Sequence, residues 1–318
     1  MNKAIIFIIF IVSLFCCLVS CKNHEDNYIT AQNLDVRKYI GLNNEAYKNF
    51  SGKGITIAVM DSGLSPHKDL NINNVVFFKD FVNTKETIYD DNGHGTFITG
   101  ILANNGLRKG LAYNCKLIVI KVLDEEGNSN WSIIEKAFNW LSQNQKKYNI
   151  QIVNMSFGMN VTVDKNNEIY KKIHSMKKNG VVFVSSTGNG GLFNEKIMFP
   201  GNLEEVLTVG YINNNQTLAP EDDQVAISSS RGGDGQITKP NFVTLGVDIE
   251  SLNREDGYTI DSGSSYSAAI MSGTIAVLKE KYPNYNFDSL IELLKKNTIL
   301  LANETFNSQG NGSIYFPS

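Results

Sequence analysis

Short apolar runs that alternate with amphipathic stretches predict an α/β fold: a three-layer sandwich whose mostly parallel sheet carries helices on both faces. The runs at residues 55–60, 116–122, 150–155 and 181–186 are rich in Ile, Val and Leu and lack polar alternation, as strands covered on both faces do. Between them the apolar residues change to helical spacing, as at Ile134, Ala137, Phe138 and Leu141. Ser132 with Glu135 gives that segment a capping box. Residues 286–296 read as a supporting helix, with Asn286 as cap, Asp288 in the first turn and lysines in the last.

A chain of 318 residues with 42% hydrophobic and 19% charged residues holds one well-buried core or two small ones. Its net charge of −3, with no basic block interleaved with aromatics, excludes nucleic acid as a partner.

The first residues are a separate matter. Lys3 precedes an uncharged run, residues 4–20, which has the layout of a secretory signal and is short for a membrane span. Leu18-Val19-Ser20-Cys21 resembles a bacterial lipobox, in which residues 1–20 are removed and Cys21 is lipidated; a plain signal peptide and an uncleaved anchor are the alternatives. The expected organisation is a signal at 1–20, a lipid-anchored polar tether at 21–38 and a domain at 39–318, held on the extracytoplasmic face of the cell membrane. Cys16 and Cys17 leave with the signal, so Cys115 stands alone and no disulfide forms in the mature chain. Cys115 reads as a small buried residue before the strand at 116–122.

Residues 258–273, Y-T-I-D-S-G-S-S-Y-S-A-A-I-M-S-G, read as strand, turn and helix. The first N–H groups of such a helix have no intrahelical partner, and its N-terminus favours negative charge developing on an attacked carbonyl oxygen. A serine there is suited to be a nucleophile, although alone the pattern is that of a serine-rich cap. Two further stretches add to it. Asp61-Ser62-Gly63 ends the first apolar run, and Asp91-Asn92-Gly93-His94-Gly95-Thr96 introduces another helix, so the order is Asp, His, Ser.

With these motifs in this order, the chain resembles the subtilisin-like serine protease family from about residue 39 to 301. The resemblance implies a subtilisin-like fold and peptide-bond hydrolysis. Ser265, in the register fixed by Gly273, would be the nucleophile, His94 the general base and Asp61 its orienting carboxylate. Ser186-Thr187-Gly188-Asn189-Gly190 resembles the oxyanion-hole loop and puts Asn189 in the donor role. Ser156, Phe157 and Gly158 resemble the segment that pairs with substrate backbone, Trp131 a distal subsite, and Met198 the floor of an apolar, shallow primary pocket. Each has a plainer reading: Asp61 as a turn cap, His94 as a core histidine, Ser265 as a helix cap, Asn189 as a left-handed turn residue, Trp131 as a hydrophobe flanking a helix. Asp69 matches a calcium-binding position, but the loop around Asn104-Asn105-Gly106 is shortened, so neither a metal nor another cofactor is expected. Glu221-Asp222-Asp223 reads as a solvated turn in a loop insertion, with contact to a cation or a basic substrate as the alternative.

The chain departs from the family at Ser264, Tyr266, Ser267 and Ala269, where Thr, Met, Ala and Pro are usual. These departures bear on how rigidly Ser265 is held. Residues 22–34 leave no room for a folded prodomain. Three functions fit: a monomeric surface peptidase that processes an exported peptide, similar to lantibiotic leader peptidases; a degradative surface protease; and a silent protease fold serving as a binding or immunity lipoprotein. The partners implied are a peptide or protein substrate and, through Cys21, the membrane.

Overall fold

The structure, a computed structural model, describes residues 30–191, 196–232 and 238–317. The signal and Cys21 lie outside the described residues. The chain lays down β1 (Thr56–Asp61), β2 (Val75–Asp80), α1 (His94–Ala103), β3 (Lys116–Lys121), α2 (Trp131–Asn144), β4 (Ile150–Met155), α3 (Glu168–Lys178), β5 (Val182–Ser186) and β6 (Leu207–Asn213). There follow β7 (Gln224–Val225), β8 (Phe242–Leu245), β9 (Ile249–Leu252), β10 (Tyr258–Asp261), α4 (Ser264–Lys281), α5 (Phe287–Lys295), β11 (Thr298–Ile299) and β12 (Ser313–Ile314).

The main sheet runs β11-β12-β8-β6-β5-β4-β1-β3-β2, with β7 antiparallel on β6, β11 antiparallel to β12, and the rest parallel. Because β1 sits between β3 and β4, the winding reverses there, and such a reversal opens a crevice at the carboxyl ends of the strands. Asp61 is the last residue of β1.

Alternation along β1 builds both cores at once. Ile57 and Val59 face a cluster containing α1, α4 and α5, whereas Ala58 and Met60 face one containing α2 and α3. Helices α2 and α3 lie outside and are amphipathic. Helix α1 is buried from Gly95 to Ala103, and α4 is buried over most of its length to Leu278, so both are apolar or small nearly all round. A Cβ on Gly273 would meet Leu111 Cβ at 2.4 Å; the glycine is what lets the Leu111 loop pack on α4.

Two local expectations change. Helix α2 begins at Trp131 and is capped by Asn130, whose side chain accepts the Ile133 N–H; Ser132 lies inside the first turn, so it and Glu135 form no capping box. Asparagine caps as well as serine does, and it comes first along the chain. Helix α5 is capped as read, by Asn286 on the Ser289 N–H. Cys115 is fully buried in the α1 and α4 core, and burial pushes its thiol up to about 12, leaving it inert at neutral pH.

The acidic turn is only partly solvated. Glu221 and Asp222 are exposed, but Asp223 is 2% exposed and accepts the Tyr39 hydroxyl at 2.5 Å, fastening residues near the start of the domain to the β7 edge. Burial pushes its carboxyl up to about 7; the Tyr39 bond opposes this, and the charges of Asp222 and Glu221 add to it. A carboxyl raised in the folded state contributes stability that is full below its unfolded value and is lost as pH rises through the folded one. Wild-type Tm should therefore fall between pH 4 and pH 7 relative to Asp223→Asn, by an amount worth about 1 to 3 kcal/mol, with the Tyr39 bond kept by the amide oxygen. Parallel Tm–pH curves for the two proteins would remove this account.

Candidate active site

Asp61 is wholly buried. Its Oδ1 accepts the Ser62 N–H at 2.8 Å and His94 Nδ1 at 2.8 Å, while Oδ2 has no partner among the described residues. A carboxylate oxygen can only accept in this bond, so the imidazole proton sits on Nδ1 and the Nε2 lone pair is left free of Asp61. His94 opens α1 behind Gly93, whose φ of 108° suits glycine. A Cβ on Gly95 would meet the Gly63 carbonyl oxygen at 2.2 Å, so glycine is required for α1 to come near enough for this bond.

Asp90 collects the start of that helix, a role not foreseen from the sequence. Its carboxylate accepts the N–H groups of Asn92, Gly93 and Thr96 and the hydroxyls of Ser62 and Thr96. Burial pushes its carboxyl up, but these bonds outweigh burial and hold it below the usual range. Lys121, fully buried, donates to the Ser62 and Leu123 carbonyls at 2.7 Å each and pairs with Asp91 at 2.5 Å. It thereby ties the ends of β1 and β3 to the histidine loop. Burial disfavours a charged His94, yet Asp61, helped by Asp90 and Asp261, prevails and holds the ring above its ordinary 6.5.

Ser265 is the second residue of α4, which follows Gly263. Its hydroxyl donates to the Ser156 carbonyl at 3.1 Å, and the Ser156 hydroxyl donates back to the Ser265 carbonyl at 3.1 Å. Asn189 follows β5, and its Oδ1 accepts both the N–H and the hydroxyl of Ser264, at 2.9 and 3.0 Å. Ser264 Oγ also accepts the Gly188 N–H at 3.0 Å. With the amide oxygen occupied, the Asn189 NH2 group faces Gly263 at the mouth of α4. The left-handed residue of this loop is Gly188, with φ 99°, and not Asn189.

Ser156, Phe157 and Gly158 continue β4 beyond its last sheet pairing and line a cavity of about 470 Å³ beside His94. Trp131 and Met198 are not among the described residues lining it. The Trp131 ring packs edge-on against Phe199 at 5.5 Å, as a hydrophobe flanking a helix would, and Met198 lies against Gly158. Asp69 Oδ2 accepts the Tyr258 hydroxyl at 2.7 Å, and Asn104 Oδ1 accepts the Gly106 N–H at 2.8 Å.

Residues 52–312 match the model of the subtilase family. The chain is similar to serine protease AprX of Bacillus subtilis (strain 168), at 32% identity over 84% of this chain and 66% of AprX. It is also similar to minor extracellular protease Epr of the same organism, at 28% over 86% of this chain and 39% of Epr. A thermostable alkaline protease of Halalkalibacterium halodurans gives 26% over 83% and 67%. The chain thus spans about two thirds or less of the length of these relatives. The crystal structure of a cold adapted subtilisin-like serine proteinase shares the fold, with TM-score 0.70 and 22% identity over 85% of this chain and 91% of that one.

Because Asp61 is what overcomes the burial of His94, Asp61→Asn should lower the pKa of the ring, read from its NMR titration. The raised value contributes stability that is present below the unfolded pKa and lost as pH rises through the folded one, so the variant should lose that contribution on the acid side. An unmoved titration would dismiss Asp61 as the cause.

Proposed function

The chain belongs to the subtilase family, and on that premise we propose that it is a serine endopeptidase that cleaves peptide bonds through Asp61, His94 and Ser265. The observation that carries this is the 2.8 Å bond from buried Asp61 to His94, set beside a serine at the N-terminus of α4 whose neighbour orients the Asn189 amide. Ser265 exchanges its bond to the Ser156 carbonyl for one to His94 Nε2 and attacks the substrate carbonyl carbon as His94 takes the proton. The Asn189 NH2 group and the Ser265 N–H at the start of α4 hold the oxyanion, and Asp61 stabilises the imidazolium. His94 then protonates the leaving amine, and water repeats the sequence on the acyl-enzyme. The edge from Ser156 to Gly158 offers its backbone to the acyl side of the substrate. No cofactor takes part in these steps, and the reading is of a monomer that binds no nucleic acid.

Within this activity the finer reading is limited processing of an exported peptide at the cell surface, as by lantibiotic leader peptidases. The Leu18-Val19-Ser20-Cys21 pattern supports it, because a lipid on Cys21 would hold the enzyme where exported peptides emerge. A relative, Epr, is named as extracellular. A diacylglyceryl thioether supplies the two chains that stable anchoring needs.

A fluorophosphonate should label Ser265, and Ser265→Ala should abolish labelling and lower kcat by about a millionfold, a magnitude established in subtilisin, a member of this family. Ser264→Ala should cost far less: it removes the hydroxyl bonds to Asn189 and Gly188, but the backbone N–H at 264 still holds the Asn189 amide oxygen. Asn189→Leu should lower kcat about a hundred- to a thousandfold with KM nearly unchanged, again a magnitude from subtilisin. A variant that melts early yet cleaves at the wild-type rate while folded would end the oxyanion assignment. Cys21→Ala should remove lipid label and leave the precursor unprocessed by the lipoprotein route; label that persists would refute the lipobox.

A further inference from the structure

His94 also borders a second cavity, of about 420 Å³, which Ser156 does not line and which is walled by His94, Phe97, Arg254, Thr259, Asp261 and Tyr266 among others. It shares Asn92 and His94 with the cavity bordered by Ser156 and Gly158, so a chain passing Ser265 meets one on each side of the imidazole. The acyl half belongs with the backbone edge at Ser156–Gly158, because the carbonyl carbon must lie at Ser265 with its oxygen towards Asn189. The other half begins at the nitrogen that His94 protonates, and it leaves over the far face of the ring.

That face carries one charge with no basic partner. Asp261 is exposed, and its oxygens accept the Tyr266 hydroxyl and the Ser262 N–H. Both donors are neutral, so they orient the carboxylate without cancelling it, and no basic side chain among the described residues pairs with it. Arg254, at the rim, is turned elsewhere: it donates to the Asp91 carbonyl, and its Nε lies 3.8 Å from the Glu255 carboxylate. Tyr266 is 4% exposed, packed against Phe97 at 4.4 Å and lying 6.0 Å from the His94 ring. Burial, the Asp261 bond and the charges of Asp261 and Asp61 all push its phenol up, so it remains a donor at any working pH. An aromatic wall ending in a fixed carboxylate matches a side chain with an apolar stem and a cationic head.

Resting on the peptidase reading above, we propose that this cavity receives the first residue on the leaving side of the scissile bond, and that Asp261, held by Tyr266, selects lysine or arginine there. The consequence is a substrate class: sequences in which a basic residue directly follows the cleaved bond.

The test is a digest of one unfolded protein by the full chain, with cut sites mapped by mass spectrometry. For each enzyme the quantity read is the ratio of Lys and Arg to Asp and Glu at the first leaving-side position, each corrected for abundance. Losses of folding or overall rate cancel in that ratio. Wild type should show a ratio of about tenfold, the size expected for an exposed charge acting with opposite sign on the two classes. Asp261→Asn should bring it close to unity, Asp261→Lys should reverse it, and added salt should shrink it in wild type. Tyr266→Phe should weaken the preference by freeing the carboxylate. A ratio equal in wild type and Asp261→Asn, or a wild-type preference for acidic residues through Arg254, would overturn the assignment while leaving the peptidase reading intact. An enzyme that cleaves nothing and takes no fluorophosphonate removes the peptidase reading and this inference with it.

Discussion

A carboxylate buried at the end of a β-strand carries a charge that the core cannot solvate, and much of the architecture around the cleft answers to that constraint. The Asp61 carboxylate is met by a backbone N–H and by His94, and no other hydrogen-bond partner among the described residues reaches it. To supply that histidine, α1 must approach β1 until Gly95 touches the Gly63 carbonyl, which fixes Gly95; Gly63 is fixed separately, by its φ of 124° and the Tyr89 carbonyl oxygen 2.1 Å from where its Cβ would be. The crowded start of α1 then needs an acceptor of its own, and Asp90 supplies it. Lys121, opposite Asp61 in the parallel register of β1 and β3, brings a positive charge into the same region and anchors it through Asp91. The unpartnered Oδ2 leaves the Asp61 charge short of solvation, so a positively charged imidazole is welcome beside it.

The serine side is held without formal charge. A chain of bonds runs from the Ser272 hydroxyl to Asn154 Oδ1, from Asn154 Nδ2 to Ser156 Oγ, and from there to the Ser265 carbonyl. Each member except Ser265 itself is buried, so the bonds act in a low dielectric and lock one geometry. This bears on the unusual residues around Ser265. Serine at 264 still offers the hydroxyl that binds Gly188 and Asn189, Tyr266 adds a bond to Asp261, and Ala269 is fully buried against the core. Rigidity comes from β4, the Asn189 loop and the third turn of α4 together, more than from the residues adjoining the serine.

The fold puts these two sides in register through the sheet. Asp61, Ser156 and Asn189 lie at or just past the carboxyl ends of neighbouring strands β1, β4 and β5, and the starts of α1 and α4 arrive from one face only. Helices α2 and α3 close the opposite face and contribute no triad group, which is why Trp131, at the head of α2, packs into that layer.

The sequence by itself determined what depends on neighbours along the chain. Strands buried on both faces show as unbroken apolar runs, α2 shows as helical spacing, Asn286 caps its helix, and Asp61, His94, Asn189 and Ser265 stand in motifs whose order implied a common cleft. Even there, Asn130 displaced Ser132 as a cap, because either residue satisfies a helix start and only the folded backbone decides between them. What the tertiary structure alone decided are pairings between distant positions: Tyr39 with Asp223, Lys121 with Asp91, Ser156 with Ser265, and the side of His94 on which Asp261 lies. A charge or hydroxyl is ambiguous in sequence because its partner is set by strand order and helix approach, and neither leaves a periodic trace in the residues themselves. Asp223 is the plainest case: preceded by Glu221 and Asp222, it looks solvated until the sheet buries it against a tyrosine from near the start of the domain.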